Sequence, residues 1–322
     1  MNIFNIQNEN EFNDACLDAF KLQSQTIPVY TEFINALKIC SDDIKHYSNI
    51  PFLPVSLFKT HSIIEDKAFA DVVFSSSGTT GDFTSKHYVH DIEIYEKSYL
   101  KGFEHFYGKI NEVCILALLP NYLEREGSSL IYMVEDLIKK SEHQNSGFFL
   151  YNHQNLFDIL IDLKTKKQPT ILIGVTYALL DFIEAYQLNF PEMVVMETGG
   201  MKGKRKEMIR EELHKTLSDG FGVSKIHSEY GMTELLSQAY SKGDGVFDCP
   251  PWMKVLIRDT NDPLTLLKSQ RAGGINVIDL ANIHSCSFIA TQDLGKTYDN
   301  GSFEVLGRFD NSDIRGCNLM IV

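Results

Sequence analysis

Two short stretches carry residue types suited to handling a charged ligand. The first, Ser75-Ser76-Ser77-Gly78-Thr79-Thr80-Gly81, follows the apolar run Val72-Val73-Phe74. A β-branched run ending in glycines and hydroxyls reads as a strand feeding a loop. The glycines let backbone N–H groups turn inward, and five hydroxyl side chains surround them. Donors that converge with no bulk in the way suit an anion. A plain connecting turn is the alternative for so Ser/Gly-rich a stretch. It is not a Walker-type loop, because Asp82-Phe83 follow Gly81 where that motif needs Lys-Ser/Thr. Asp82 also repels a phosphate, so the grip falls to the residues before it and to Lys86 beyond. The second stretch is Tyr230-Gly231-Met232-Thr233-Glu234. As plain structure it reads as a turn, with Glu234 opening a helix and complementing its dipole.

The elements that must position these stretches follow from hydrophobic period. Glu11 to Gln23 places Phe12, Ala15, Cys16, Ala19 and Phe20 on one helical face, and a second helix is predicted over Tyr30 to Ile39. Ile50 to His61 contains Pro51 and Pro54, which exclude a central strand or helix interior and predict a packed, extended connector. Asp91 caps a helix carrying Ile92, Tyr95, Tyr99, Phe103 and Phe106. Glu112 to Leu119, Thr170 to Val175 and Met193 to Met196 read as buried strands, with helices over Ser128 to Lys140 and Tyr177 to Tyr186. That alternation predicts α/β layers with parallel pairing. Glu197-Thr198-Gly199-Gly200 then opens a helix predicted over Gly203 to Leu217, burying Met208, Ile209, Leu213 and Leu217. Its first turn would hold Lys202, Lys204, Arg205 and Lys206, which oppose the helix dipole unless an anion or solvent compensates. After Glu234, short strands at Lys254 to Arg258, Ile275 to Leu280 and Cys286 to Thr291 predict an antiparallel sheet or distorted barrel. Asn300-Gly301 supplies a hairpin turn before a strand at Phe303 to Leu306.

Composition narrows the class. A chain of 322 residues holds one large or two ordinary domains, and 21 Phe with 14 Tyr give ample core. The net charge of −13 argues against a general nucleic-acid or membrane-surface binder. Met1 to Ile6 carries no basic n-region and no long apolar core, so no secretory signal is expected, and no apolar run is long enough to span a membrane. Six cysteines without a Cys-x-x-Cys pair read as free thiols, and the expectation is a reducing cytoplasm. His87 and His90 lie close but lack a third ligand at metal spacing, so no zinc site is expected.

Taken together, roughly 150 residues apart and in this order, the two stretches resemble the adenylate-forming enzymes: acyl-CoA synthetases, luciferases and nonribosomal adenylation domains. The first matches their Ser/Thr/Gly phosphate loop, the second their Tyr-Gly-x-Thr-Glu signature. Pro51-Phe52-Leu53-Pro54-Val55-Ser56-Leu57-Phe58-Lys59, Leu118 to Glu124 and Ser128 to Met133 are more narrowly similar to the acyl-protein synthetases of bacterial luminescence. Those are the ATP-dependent component of a fatty-acid reductase complex. The resemblance spans Ile50 to Val322. It implies the large N-terminal α/β domain of adenylate-forming enzymes, layered with parallel sheets plus a small antiparallel sheet or distorted barrel. Residues 1–306 would form the adenylation core, and 307–322 the hinge and remnant of a truncated C-terminal lid.

The resemblance also implies roles. Ser76, Ser77, Gly78, Thr79, Thr80 and Gly81 would hold the β- and γ-phosphates of ATP, with Lys86 beside them. Gly199 and Gly200 would run along the adenine, and Tyr230 with Gly231 would pack on it. Thr233 would bond the α-phosphate, and Glu234 would hold Mg²⁺. Asp293, in Thr291-Gln292-Asp293-Leu294-Gly295, would accept the ribose hydroxyls, and Arg308, in Gly307-Arg308-Phe309-Asp310, would contact ribose or phosphate. Cys317 would carry the acyl group. The lysine of a full lid has no counterpart, so adenylation is slow, or Lys86 or the Lys202–Lys206 cluster substitutes, or nucleotide is only bound. The implied activity is an ATP-dependent ligase joining a carboxylic acid, a fatty acid in that family, to a thiol on a protein, carrier or CoA. An acyl reductase subunit is the implied partner. Rival readings are an aryl-acid or phenylacetate-type CoA ligase, a nucleotide-binding remnant, and a plain anion-binding scaffold.

Overall fold

Runs such as Cys114-Ile115-Leu116-Ala117-Leu118 and Thr170-Ile171-Leu172-Ile173-Gly174 are buried at every position. Strands without a polar face need cover on both sides, which is how parallel sheets flanked by helices are built. The computed structural model describes residues 2–76, 84–119, 127–199 and 208–309. Helices α1 (Glu9–Thr26) and α2 (Pro28–Ala36) lead to the short strand β1 (Leu53–Pro54). Strands β2 (Val72–Ser75) and β3 (Lys86–Val89) form a separate antiparallel hairpin, followed by α3 (Ile92–Tyr107). The alternating part follows: β4 (Cys114–Leu118), α4 (Ser129–Ser141), β5 (Gly147–Phe148), α5 (His153–Lys166), β6 (Thr170–Gly174), α6 (Thr176–Ala185), β7 (Val194–Thr198), α7 (Arg210–Phe221) and β8 (His227–Tyr230). Six strands complete the chain: β9 (Ala239–Ser241), β10 (Val246–Asp248), β11 (Met253–Arg258), β12 (Gly273–Asp279), β13 (Phe288–Thr297) and β14 (Phe303–Arg308).

Except for β2 and β3, the strands form one twelve-stranded sheet in the order β11-β12-β13-β14-β10-β9-β8-β7-β6-β4-β5, with β1 beside β13. The pairs β5/β4, β4/β6, β6/β7 and β7/β8 are parallel. From β8 to β11 every ladder is antiparallel. The predicted antiparallel unit is therefore continuous with the parallel one, joined through β8 and β9. Ligands of open α/β sheets sit beyond the carboxyl ends of parallel strands. Here the carboxyl ends of β7 and β8, Thr198 and Tyr230, share that edge.

Most predicted elements stand within a few residues of their expected bounds, and the departures have physical causes. The helix expected from Gly203 begins at Arg210, because Ile209 is extended (φ −67°, ψ 149°) and 68% exposed. Its first turn carries Glu211 and Glu212, which complement the dipole, so the conflict expected from the lysine cluster does not arise in α7. No helix follows Tyr230: residues 231–238 turn back into β9, and Glu234 is buried. Only Gly301, not Asn300, has positive φ in the β13–β14 turn, closed by Tyr298 N–H donating to Ser302 O at 2.8 Å. The Pro51–Lys59 connector is buried at Phe52, Leu53 and Phe58, as expected. Helix α5, not anticipated, buries Leu156, Leu160 and Leu163 at helical spacing. Among the described residues no helix is long and apolar enough to cross a membrane.

The turn after β8 is held from β12. Asp279 is fully buried and accepts from Leu236 N (2.8 Å), Ser237 N (2.9 Å), Ser237 Oγ (2.6 Å) and Ala281 N (3.1 Å). Trp252, the single tryptophan, donates to Ser98 Oγ and Ser237 Oγ, tying α3 to the same turn. Each buried donor left without an acceptor costs about 1–3 kcal/mol. Asp279→Ala is therefore expected to lower the unfolding free energy by about 3 kcal/mol or more. Urea unfolding checks this, and a loss under about 0.5 kcal/mol would contradict it.

Candidate active site

Beyond Thr198 and Tyr230 lies a cavity of about 1520 Å³. The β2–β3 hairpin, the turn after β8 and the end of β14 enclose it, and Ser76, Gly199, Tyr230, Gly231, Thr233, Glu234, Asp293 and Arg308 all line it. Residues far apart in the chain meet because β8 and β13 are drawn together through β14, β10 and β9.

On one side, Tyr230 donates its hydroxyl to Asp293 Oδ2 at 2.9 Å, and its ring packs edge-on against Phe303 and Phe247. Burial, then the neighbouring Asp293 carboxylate, hold the phenol well above its ordinary range, so it stays protonated as donor. Asp293 takes Arg308 Nε at 3.3 Å on its other oxygen, directly across the β13–β14 ladder. Burial raises the Asp293 carboxyl, while Tyr230, Arg308 and Arg258 oppose that rise. Arg308 is 74% exposed, so this ion pair adds little stability but leaves a cation at the cavity mouth. Arg258, missed in the sequence, is buried behind Asp293 and donates to Ile275 O, Asn276 Oδ1 and Thr291 O. A Cβ on Gly274 would meet its guanidinium at 2.5 Å, so this glycine is required by the arginine crossing it.

At the base of the β2–β3 hairpin, Ser76 Oγ accepts from Ser85 N at 2.9 Å, and Ser76 N donates to Ser85 O at 3.0 Å. Ser77, Gly78, Thr79, Thr80, Gly81, Gly200, the Lys202–Lys206 cluster and Cys317 lie outside the described residues. Lys86 is exposed on β3 and does not line the cavity, whereas Lys59 of the proline-bounded connector does. Lys59 stood within a stretch read as packing alone. His87, read in the sequence only as a possible metal ligand, is fully buried and donates Nδ1–H to Thr233 O at 2.8 Å. Burial lowers its pKa to about 4, which keeps the ring neutral. It ties the hairpin to the turn after β8, a contact between residues 146 positions apart that no local pattern signals.

Glu234 is 6% exposed, and burial raises its carboxyl against the opposing pull of the Ser85 hydroxyl that bonds to it. A buried carboxylate facing a cavity is stabilised by a cation. No cluster of three or more His, Cys, Asp or Glu among the described residues could hold a metal ion by itself. One carboxylate fits Mg²⁺, which keeps most of its shell from water or ligand oxygens. Gly199 adopts φ +69°, a backbone conformation suited to glycine, and its carbonyl accepts from Thr176 Oγ1 at 2.7 Å.

Side chains alternate along β8, so Glu229 faces away from Tyr230. Its Oε2 accepts from Thr198 Oγ1 at 2.6 Å, and burial first, then the charge of Glu197, raise its carboxyl to about 7. Glu197, on the opposite face, accepts from Ser228 Oγ at 2.8 Å and Thr176 Oγ1 at 3.2 Å. Nothing in the sequence beyond its place before Tyr230 marked Glu229.

The family model described as acyl-protein synthetase, LuxE, matches residues 2–322, including the N-terminal stretch in which no resemblance was legible. No curated protein sequence matches. Among solved structures, 2-hydroxyisobutyryl-CoA ligase in its postadenylation state is similar at TM-score 0.71 and 11% identity, over 94% of this chain and 68% of that one. ATP-bound MatB from Rhodopseudomonas palustris is similar at TM-score 0.57 and 16% identity, over 76% and 49%. A long-chain-fatty-acid-CoA ligase from Archaeoglobus fulgidus gives 0.55 and 12%, over 76% and 53%. The match covers about half the length of the MatB chain. At these identities the likeness establishes the fold, that of the large N-terminal domain of adenylate-forming enzymes.

The Glu229 carboxyl yields a pH test. Its pKa rises from an ordinary 4.5 to about 7, so between those values the folded protein holds a proton that the unfolded chain has released. That contribution to stability is present below pH 4.5 and is lost as pH rises through 7. Glu229→Gln mimics the protonated form and removes this dependence. Between pH 5 and 8 the wild type is expected to lose on the order of 2 kcal/mol more than the variant in urea unfolding. Parallel pH profiles would contradict the assignment.

Proposed function

The chain belongs to the acyl-protein synthetase (LuxE) family, and from that premise we propose that it is an ATP-dependent ligase that activates a carboxylic acid as its adenylate. The observation that carries this reading is the meeting of Tyr230, Asp293 and Arg308 in one cavity that Thr233 and Glu234 also line. Adenylation brings two anions together. A carboxylate oxygen attacks the α-phosphorus of ATP, and the bond to pyrophosphate breaks. Donors and cations already in place where charge develops lower that barrier.

The chain's own groups divide the work. Tyr230, Gly199 and Gly231 give the adenine a flat bed, and the Tyr230 hydroxyl keeps Asp293 oriented toward the ribose diol. Asp293 offers two oxygens to two hydroxyls. Arg308 and Lys59 bring positive charge to phosphate, and the hydroxyls and amides from Ser76 to Gly81 take the β- and γ-phosphates. Thr233 donates to the α-phosphate, its backbone steadied by His87. Glu234 would hold Mg²⁺, which supplies Lewis-acid stabilisation of the phosphate oxygens when bound.

In the finer reading the acid is a fatty acid and the acceptor a thiol. Sulfur attacks the acyl carbonyl, AMP leaves, and the thiol proton passes to solvent. Cys317 is the proposed first acceptor, because Gly316 frees the backbone and Arg315 favours the thiolate. An acyl reductase subunit or a carrier would receive the group afterwards.

Acid-dependent ATP–pyrophosphate exchange tests the first step. Glu234→Gln keeps the shape and removes the charge, so exchange is expected to fall about 100-fold or more. Equal rates at saturating Mg²⁺ would retire the role of Glu234. For the second step, MgATP and a fatty acid are expected to leave an acyl mass adduct that neutral hydroxylamine removes and Cys317→Ser lacks. An equal adduct on the serine variant would move the acceptor elsewhere.

A further inference from the structure

The end of β8 divides the cavity. Tyr230 turns toward Phe247, Phe303 and Asp293, the side assigned above to nucleotide. Glu229 turns the other way, toward the α3–α4 side, where Tyr95, Leu130 and Met133 complete the wall. That second wing is where an acid must lie if its carboxylate is to reach an α-phosphate held at Thr233. Tyr95, Leu130 and Met133 are uncharged, and Glu229 sets a carboxyl among them.

The Glu229 carboxyl has one hydrogen-bond donor among the described residues, the Thr198 hydroxyl on Oε2. Oε1 lies against Gly231, where a Cβ would meet it at 2.4 Å. Any other residue at 231 would displace this oxygen, so the glycine keeps it at the cavity surface. Of the nearby phenols, Tyr95 donates to Ser129 O at 3.0 Å and Tyr107 meets His227 Nδ1 at 3.2 Å, while Tyr240, opposite Glu229 in the β8–β9 ladder, packs its ring against Phe106 and Tyr107. No Lys, Arg or His among the described residues forms an ion pair with Glu229, and the charge that acts on it is that of another carboxylate, Glu197. Glu229 is half-buried at the cavity wall, and covering its open oxygen with a ligand is unfavourable unless that ligand brings a donor. A ligand can supply that donor, and a plain alkyl chain cannot.

We propose that Glu229 recognises a hydrogen-bond-donating substituent, a hydroxyl or an ammonium, near the carboxyl end of the acyl substrate. The acid activated is then a substituted acid and not a plain alkanoate. This rests on the ligase reading given above and adds the chemical class of the acid. The selection is directional. Binding a substituted acid satisfies Glu229, whereas binding an alkanoate shuts its open oxygen against hydrocarbon. Sites built to hydrogen-bond a substrate group discriminate strongly against analogues lacking it.

The test is ATP–pyrophosphate exchange by the full chain with butanoate and octanoate, their α- and β-hydroxy derivatives, and their α- and β-amino derivatives. In the wild type, kcat/KM for the best substituted acid is expected to exceed that of its plain counterpart at least tenfold. Glu229→Leu is expected to reverse this ratio, mainly through KM, in a protein whose melting temperature shows it folded. Glu229→Gln separates the two donors, because an amide still accepts from a hydroxyl but no longer pairs with an ammonium. Plain acids exchanging as well as substituted ones in the wild type would overturn the proposal, whatever the variants do. A wild-type preference that survives in folded Glu229→Leu would assign the recognition to another residue and overturn it equally. Absence of exchange with every acid would instead count against the ligase reading, and the substrate class would fall with it.

Discussion

The structure depends on finding partners for a buried stretch of backbone without regular structure. Between Tyr230 and Ala239 the chain leaves a strand, turns inside the protein and returns as the antiparallel neighbour of the same strand. Buried amides and carbonyls outside helix and sheet must be paired by other groups. Asp279 takes two consecutive amides of this turn, His87 takes the Thr233 carbonyl, and Asn282 Nδ2 donates to the Glu234 carbonyl at 2.8 Å. Three distant elements thus fix the backbone that presents Thr233 and Glu234. The same residues could not be presented this way from a helix, where their amides and carbonyls would bond to one another.

That constraint explains why the chain changes character at β8. Up to that point the strands are parallel, and their carboxyl ends form one open edge. Beyond it the chain builds an antiparallel extension that brings Asp293 and Arg308 back to the same edge, Asp293 from 63 positions beyond Tyr230. Strand register does the positioning: Asp293 stands opposite Arg308 in one ladder, and Thr198 opposite Glu229 in another. The alternation of side chains along β8 then sends Tyr230 and Glu229 into different halves of one cavity. Two chemically distinct wings follow from two adjacent residues.

Much of this was legible in the sequence where the signal is local. Buried strands such as Cys114–Leu118, the Asp91 cap of α3 and the Asn300-Gly301 turn rest on patterns of a few residues, and they stand close to where those patterns put them. The described residues of the two motif stretches, Ser75, Ser76 and Tyr230 to Glu234, line one cavity. What was not legible depends on contacts across the fold. Arg258 of β11 bonds to carbonyls of β12 and β13, His87 bonds to a carbonyl 146 positions away, and Lys59 reaches the cavity from a segment that reads as packing. The start of α7 was misjudged because apolar spacing at Met208 and Ile209 mimics a helix, while the backbone there is extended. Glu234 was read as a possible helix opener because an acid after a turn suits a dipole. Its true setting is a buried turn whose partners lie in β3 and the β12–β13 connection.

The central claim is that this cavity joins a carboxylate to the α-phosphate of ATP. Supplying MgATP and acids labelled with heavy oxygen in the carboxylate, a fatty acid and its hydroxylated counterpart, tests it most directly. When the activated acyl group passes to a thiol, one labelled oxygen is expected in the AMP phosphate, with pyrophosphate unlabelled. Label in inorganic phosphate with release of ADP would mean attack on the γ-phosphate, and nucleotide bound without any transfer of label would mean no activation; either result would contradict the account.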